Sequence, residues 1–303
     1  MSTVPQFCAV KLNFKKAMKT NHLPAMALLA ATVLSASSCQ EKNGVPQPIV
    51  VNPNPTQPQT PNRPGTPPAT TAPKIQKAIY SDRDFQQFEY DAQGRIDKYV
   101  SQWQSVQSEP DKITRIDNIF IYDAAGQLTT VRNQAGESRY RYQNGKVSTI
   151  ETYATNGRLL STMRIKWNDK NQVTEREEVI PTGLRLPDSP EATKWLYSYD
   201  SKDNCVKMEY FYQKEGQYQL FETTLFSEFD NAPNALDAVA FHPFLPSAVF
   251  QANNPGRMTV TFAVNPSYQQ RVMHQYRYND KGIVTERSTT RQGSGITTMR
   301  LEY

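Results

Sequence analysis

Tyr90-Asp91-Ala92-Gln93-Gly94-Arg95-Ile96 returns as Tyr122-Asp123-Ala124-Ala125-Gly126-Gln127-Leu128, and this repetition decides the fold. Shortened by one residue it is Tyr142-Gln143-Asn144-Gly145-Lys146-Val147. Looser copies are Trp167-Asn168-Asp169-Lys170-Asn171-Gln172-Val173, Tyr199-Asp200-Ser201-Lys202-Asp203-Asn204 and Tyr278-Asn279-Asp280-Lys281-Gly282-Ile283. The aromatic residue ends one strand, and the Asp or Asn side chain bonds the turn backbone. The Gly, Asn or Asp then takes a positive φ, and an apolar residue opens the return strand. Six copies mark a repeated hairpin unit.

Between these turns apolar residues alternate with period two, as in strands with one buried face. Leu159, Ser161, Met163, Ile165 and Trp167 share one face; Leu160, Thr162, Arg164 and Lys166 share the other. Trp195, Tyr197 and Tyr199 repeat the pattern, as do Val272, His274, Tyr276 and Tyr278. The expected fold is all-β: an antiparallel meander forming one long, twisted, curled sheet of roughly a dozen strands or more. One face would be greasy and the other wet. The apolar, proline-punctuated segment from Asp230 to Gly256 breaks the rhythm. It is expected to pack as loop and short helical turns on the apolar face, with Phe241, Phe244, Leu245 and Phe250 covering it.

Outward from the hairpins, the chain divides into three parts. All sixteen tyrosines lie at position 80 or beyond, so the β domain is placed at 76–303. Residues 1–38 hold Lys11, Lys15, Lys16 and Lys19 and no acid; without these lysines, 30 basic side chains face 29 acidic ones. The net positive charge is therefore that of a leader, and it gives no support for a nucleic-acid partner. Leu23 to Leu34 is a short apolar run, suited to a signal-peptide core and too short to span a bilayer. Ser35-Ala36-Ser37-Ser38-Cys39 follows and resembles the lipobox of bacterial lipoproteins, which implies lipid attachment at Cys39 and a membrane partner through that anchor. Residues 18–39 already form a complete leader, so 1–17 read as an over-extended start. Gln40 is not the aspartate that retains such lipoproteins at the inner membrane, which favours the outer one. Between Pro46 and Pro73 ten prolines deny the backbone both helix and sheet ladder, so 39–75 read as lipidated cysteine plus an extended tether reaching up to about 100 Å.

The hairpin phrase resembles the YD repeats of RHS-type shell proteins. The whole arrangement resembles outer-membrane lipoproteins whose domain is described as porin-like in fold, in which YD-like hairpins are interrupted by an Asp-Asn-x-x-Asn-Pro segment and a later Asn-Asn-Pro. Here these correspond to Asp230-Asn231-Ala232-Pro233-Asn234, with Ala235 in place of the proline, and to Asn253-Asn254-Pro255. The resemblance covers residues 80–303 and implies a fold, with no activity attached.

No nucleophile elbow, phosphate loop or dinucleotide fingerprint appears, and no cofactor is expected. Cys205 is the single body cysteine, too few for a disulfide or a cysteine-rich zinc site. His242 and His274 would need carboxylates to make a metal site; two isolated histidines in packed surroundings explain them better, and no metal is expected. Glu175 and Glu177, on one strand face with Val173 and Val179, pose a paired-carboxylate question for glycoside hydrolysis. Arg176 and Glu178 take the opposite face, and cross-strand pairing explains the acids without chemistry. The Asp200–Asn204 turn lacks the acid spacing of a calcium loop. Trp103, Trp167 and Trp195 are either a ligand platform that stacks on sugar rings or simply the buried face.

Three functions follow as expectations. The first is a non-enzymatic, lipid-tethered β-module that binds or presents at the envelope. The second is an outer-membrane β-barrel, opposed by Arg164, Lys166, Arg176 and Lys207 on the second face, where lipid contact demands apolar side chains. The third is a glycan-binding or glycan-active surface lipoprotein.

Overall fold

The computed structural model describes residues 74–106, 108–109, 111–185, 189–234, 236, 244–245, 248 and 250–303. The leader, Cys39 and the proline-rich stretch lie outside the described residues, as do Phe241 and His242. Sixteen strands follow in order. They are β1 Lys77–Ile79, β2 Phe85–Tyr90, β3 Ile96–Gln104, β4 Ile113–Tyr122, β5 Leu128–Asn133 and β6 Gly136–Gln143. Next come β7 Lys146–Ala154, β8 Leu159–Trp167, β9 Val173–Val179, β10 Ala192–Tyr199 and β11 Cys205–Lys214. The last five are β12 Gln217–Pro233, β13 Asn253–Phe262, β14 Asn265–Tyr278, β15 Val284–Arg291 and β16 Ile296–Glu302.

Every strand pairs antiparallel with its sequence neighbours, as the hairpin phrase requires. The sheet does not stay open, however: it closes into a barrel through β1 and β16, with Lys77 opposite Glu302 and Ile79 opposite Arg300. Twist accumulates across sixteen strands, and an open sheet would leave two unpaired edges; the three-residue β1 covers both by pairing with β2 and β16.

A bulge follows each repeated turn. Trp167 faces Val173, but Lys166 faces Glu175, so Thr174 is extra. The same slip occurs at Tyr90, Tyr122, Tyr199 and Tyr278. It reverses the face of every later residue on the return strand. Glu175 and Glu177 consequently point outward while Arg176 and Glu178 point inward, buried to 8% and 9% exposure. Arg176 thus does not lie on the wet face with Arg164, Lys166 and Lys207, and Val173 does not share a face with Glu175.

The turns have the chemistry their residues suggest. Asp123 Oδ1 accepts from the amides of Ala125 and Gln127 at 2.9 Å, and Gly126 takes φ 81°. Asp91, Asn168, Asp200 and Asn279 do the same in their turns. Tyr142 and Gly145 flank the shortened turn, where Asn144 and Gly145 both have positive φ. The aromatic residue has a second role that hairpin chemistry alone does not require. Tyr122 Oη donates to the carbonyl of Ile96 at 2.8 Å, in the return strand of the preceding hairpin. Tyr90, Tyr142, Trp167, Tyr199, Tyr276 and Tyr303 reach Ile75, Leu128, Val147, Val173, Pro255 and Val284 in the same way. At the remaining place in the ring, Gln251 Nε2 donates to Cys205 O at 3.0 Å. Each hairpin is latched to the one before it, all the way around. Tyr122→Phe should therefore lower stability by about 1 kcal/mol while leaving the barrel intact, as chemical denaturation with an unchanged m-value would show.

Candidate functional site

The six repeated turns stand on one rim, and the connection between β12 and β13 rises from that same rim. It is shorter than the Asp230–Gly256 segment expected to be loop and helical turn, because β12 runs on to Pro233 and β13 already begins at Asn253. Asp230, Asn253 and Asn254 explain the motif around it. The backbone amide and side-chain amide of the fully buried Asn254 both donate to Asp230, at 3.1 and 3.0 Å, and Tyr278 Oη donates to the same carboxylate. Asn253 exchanges hydrogen bonds with Asn204 of the neighbouring turn. These contacts pin the neck of the connection. Beyond it Leu236, Leu245, Ala248 and Phe250 are buried in the core. Phe244 lies 6.0 Å from Tyr99 and 6.2 Å from Phe120, and Phe250 lies 5.1 Å from Tyr197. A barrel of sixteen strands ordinarily encloses an aqueous channel. Here Leu236, Phe244, Leu245, Ala248 and Phe250, described residues of the connection, form a plug in it.

Beneath the plug lies a cavity of about 50 Å³, lined among others by Asn118, Ser138, Tyr140, Met163, Arg176 and Leu245. Its lining extends to Asn133 and Gly136, at the rim opposite the repeated turns. Toward that rim the interior is aromatic. Trp195 packs against Tyr210 at 5.0 Å, and Phe221 joins Tyr210, Tyr212 and Phe262 at 5.7–6.1 Å.

The three tryptophans are not assembled into one platform. Trp167 gives its N–H to Val147 O at the turn rim. Trp195 is packed by Tyr210 and by the Arg176 guanidinium, 4.5 Å from the ring centroid. Trp103, on β3, is 37% exposed and lies on a strand six removed from β9 in barrel order. His274 is half-buried beside Thr289, 3.0 Å from its hydroxyl, and no group of three metal-ligating side chains occurs among the described residues. Cys205 is buried, its thiol donating to the carbonyl of Lys207 at 3.3 Å. In the Asp200 turn, the Lys170 ammonium of the adjacent turn, 2.8 Å from Asp203, holds that carboxyl below the usual carboxylate range. That acid is engaged in turn-to-turn pairing.

The outer wall is laced with ion pairs between neighbouring strands: Arg141–Glu151 at 2.9 Å, Arg164–Glu177 at 2.9 Å, Lys166–Glu175 at 3.0 Å and Arg277–Glu286 at 3.4 Å. Each contributes little in water, up to about 1 kcal/mol, but together they make the wall polar. Glu175 and Glu177 are thereby occupied on the outside, away from the lumen. Ile119, Ile121 and Leu225 stand exposed among them.

No family model matches the sequence, and no curated protein does. Solved structures do. A porin-like protein from Bacteroides uniformis superposes over 75% of this chain and 96% of its own, with TM-score 0.51 and 13% identity. One from Bacteroides vulgatus covers 76% and 99%, with TM-score 0.53 and 10% identity. The fold is similar to theirs. At such identity the likeness concerns the fold alone. Closure of the sixteen-stranded sheet, together with these porin-like neighbours, supports the barrel fold of the second expectation better than an open sheet presenting one face.

Proposed function

We propose that this chain is a closed β-barrel tethered at the outer membrane by a lipid on Cys39, working as a plugged binding vessel rather than a channel. The closed barrel, with Leu236, Leu245, Ala248 and Phe250 of the β12–β13 connection buried in its core, carries this reading. Its role is non-enzymatic, since the paired acids Glu175 and Glu177 are consumed in wall ion pairs. The YD-like phrase serves as hairpin-to-hairpin latching. The wall stands in water beside the bilayer: an arginine or lysine on a lipid-facing strand costs about 2–4 kcal/mol at the bilayer midplane, and Arg141, Arg164, Lys166 and Arg277 all project outward.

A bilayer-crossing seat is the second reading, favoured by the porin-like closure and the exposed Ile119, Ile121 and Leu225. Fractionation of cells carrying Cys39→Ser separates the two. Wild type is expected in the outer-membrane fraction and the variant in the buffer-soluble fraction. A variant that stays in membranes until detergent is added would instead place the strands in lipid.

A further inference from the structure

Building on the plugged-vessel reading, we infer that the cavity beside Arg176 receives the carboxylate of a small organic monoacid entering from the rim opposite the turns. Arg176 is 8% exposed and lies in the middle of the barrel interior, facing Ile165 and Trp195 across the strands. One partner is visible, the Trp195 ring. Among the described residues its guanidinium makes no hydrogen bond or ion pair, and Nε is buried without a partner. A buried guanidinium left in this state is strongly unfavourable, so an anion belongs beside it. The guanidinium presents its N–H donors as a planar fork that matches a carboxylate in two-pronged fashion.

The surroundings narrow the ligand. Tyr140, 7% exposed, lines the same cavity with its hydroxyl buried and unpartnered, a further donor for the anion. Met163, Phe244 and Leu245 give that wall an apolar patch suited to a short hydrocarbon body, beside the polar Ser138 and Thr152 and the acid Glu137, whose carboxylate is already paired with Arg132 and Arg139. A water needs roughly 10–15 Å³ of such space, so a cavity of about 50 Å³ holds a few heavy atoms and excludes a sugar ring. Glu178 lies two residues on and also points inward, 9% exposed. It makes no ion pair with Arg176 among the described residues, and it would repel a second negative charge. The site therefore selects a monoanion over a dianion.

Calorimetric titration of the mature lipidated chain in detergent tests this with propionate, its neutral isostere propionamide, and succinate. Propionate is expected to bind saturably, and propionamide and succinate at least about tenfold more weakly. Arg176→Gln should weaken propionate by at least about tenfold, Arg176→Lys should restore part of the loss, and Glu178→Gln should bind as tightly as wild type or more so. If Arg176→Gln folds poorly, the rise in wild-type melting temperature with propionate, compared against propionamide, decides instead. Equal binding of propionate and propionamide, no binding of either, or an unchanged Arg176→Gln variant would overturn the assignment and leave the cavity to water. Those outcomes leave the Cys39→Ser fractionation untouched, so failure of the ligand site is distinguishable from failure of the membrane reading.

Discussion

Replacing Asp230 by alanine is expected to lower the stability of the barrel by about 2–4 kcal/mol, one of the two largest single-site losses foreseen. The carboxylate accepts from the amide and side chain of Asn254 and from Tyr278, and it also accepts from the amide of Ala232 at 3.0 Å. Asn254 is fully buried, so its donors have no water to turn to once the carboxylate is gone. Each orphaned buried donor costs about 1–3 kcal/mol, which exceeds the value of a typical hydrogen bond gained on folding. Asp230→Asn keeps one acceptor oxygen and should lose less than half as much. Urea midpoints of the two variants check this ordering. Equal midpoints for Asp230→Ala and wild type would show that the neck of the plug is held by other means.

The second large effect is expected from Phe250→Ala, with a loss of about 3–5 kcal/mol. Phe250 is 1% exposed and packs on Tyr197, and the backbone carbonyl beside it accepts from Cys205 N at 2.8 Å. That backbone bond persists in the variant, so the loss isolates the side chain. It comes from removed apolar surface and from a void that the latched strands cannot collapse to fill. Phe250→Leu retains much of the volume and should lose less than about 1.5 kcal/mol. Thermal denaturation gives the ranking. Binding of a hydrophobic dye to Phe250→Ala below its transition would further show that the plug has loosened while the wall stands.

These two sites differ in how far the sequence announced them. Phe250 was visible as one of the apolar residues in a segment too greasy for solvent, and it is buried as a covering residue should be. Asp230 and Asn254 were visible only as a motif; their contact links β12 to β13 across a connection whose course no local rule specifies. Arg176 was misplaced. Counting by twos from Val173 sends it to the wet face, whereas the bulge at Thr174 turns it inward. The signal was present, because a glycine or asparagine at positive φ after a short turn commonly brings a bulge, and one extra residue reverses the parity of the return strand. The tyrosine latches left a trace as well, in the constant spacing of the aromatic residue from its turn. Their acceptor lies in the preceding hairpin, so the purpose of that spacing appears only when neighbouring hairpins are side by side.

By itself the sequence determined what depends on residues close together in the chain: where strands start and stop, the Asx turns with their positive-φ residues, and the antiparallel order of the meander. Turn chemistry and period-two burial act within a few residues, and no distant partner is needed to fix them. Tertiary structure alone decided that β1 meets β16, that the apolar face covered by Leu245 and Phe250 is the inside of a closed barrel, and that Arg176 ends beside Trp195 with no ion pair among the described residues. Closure depends on twist summed over the whole sheet and on edges that attract each other only when brought together. The plug depends on the interior that closure creates. Both are properties of sixteen strands acting at once.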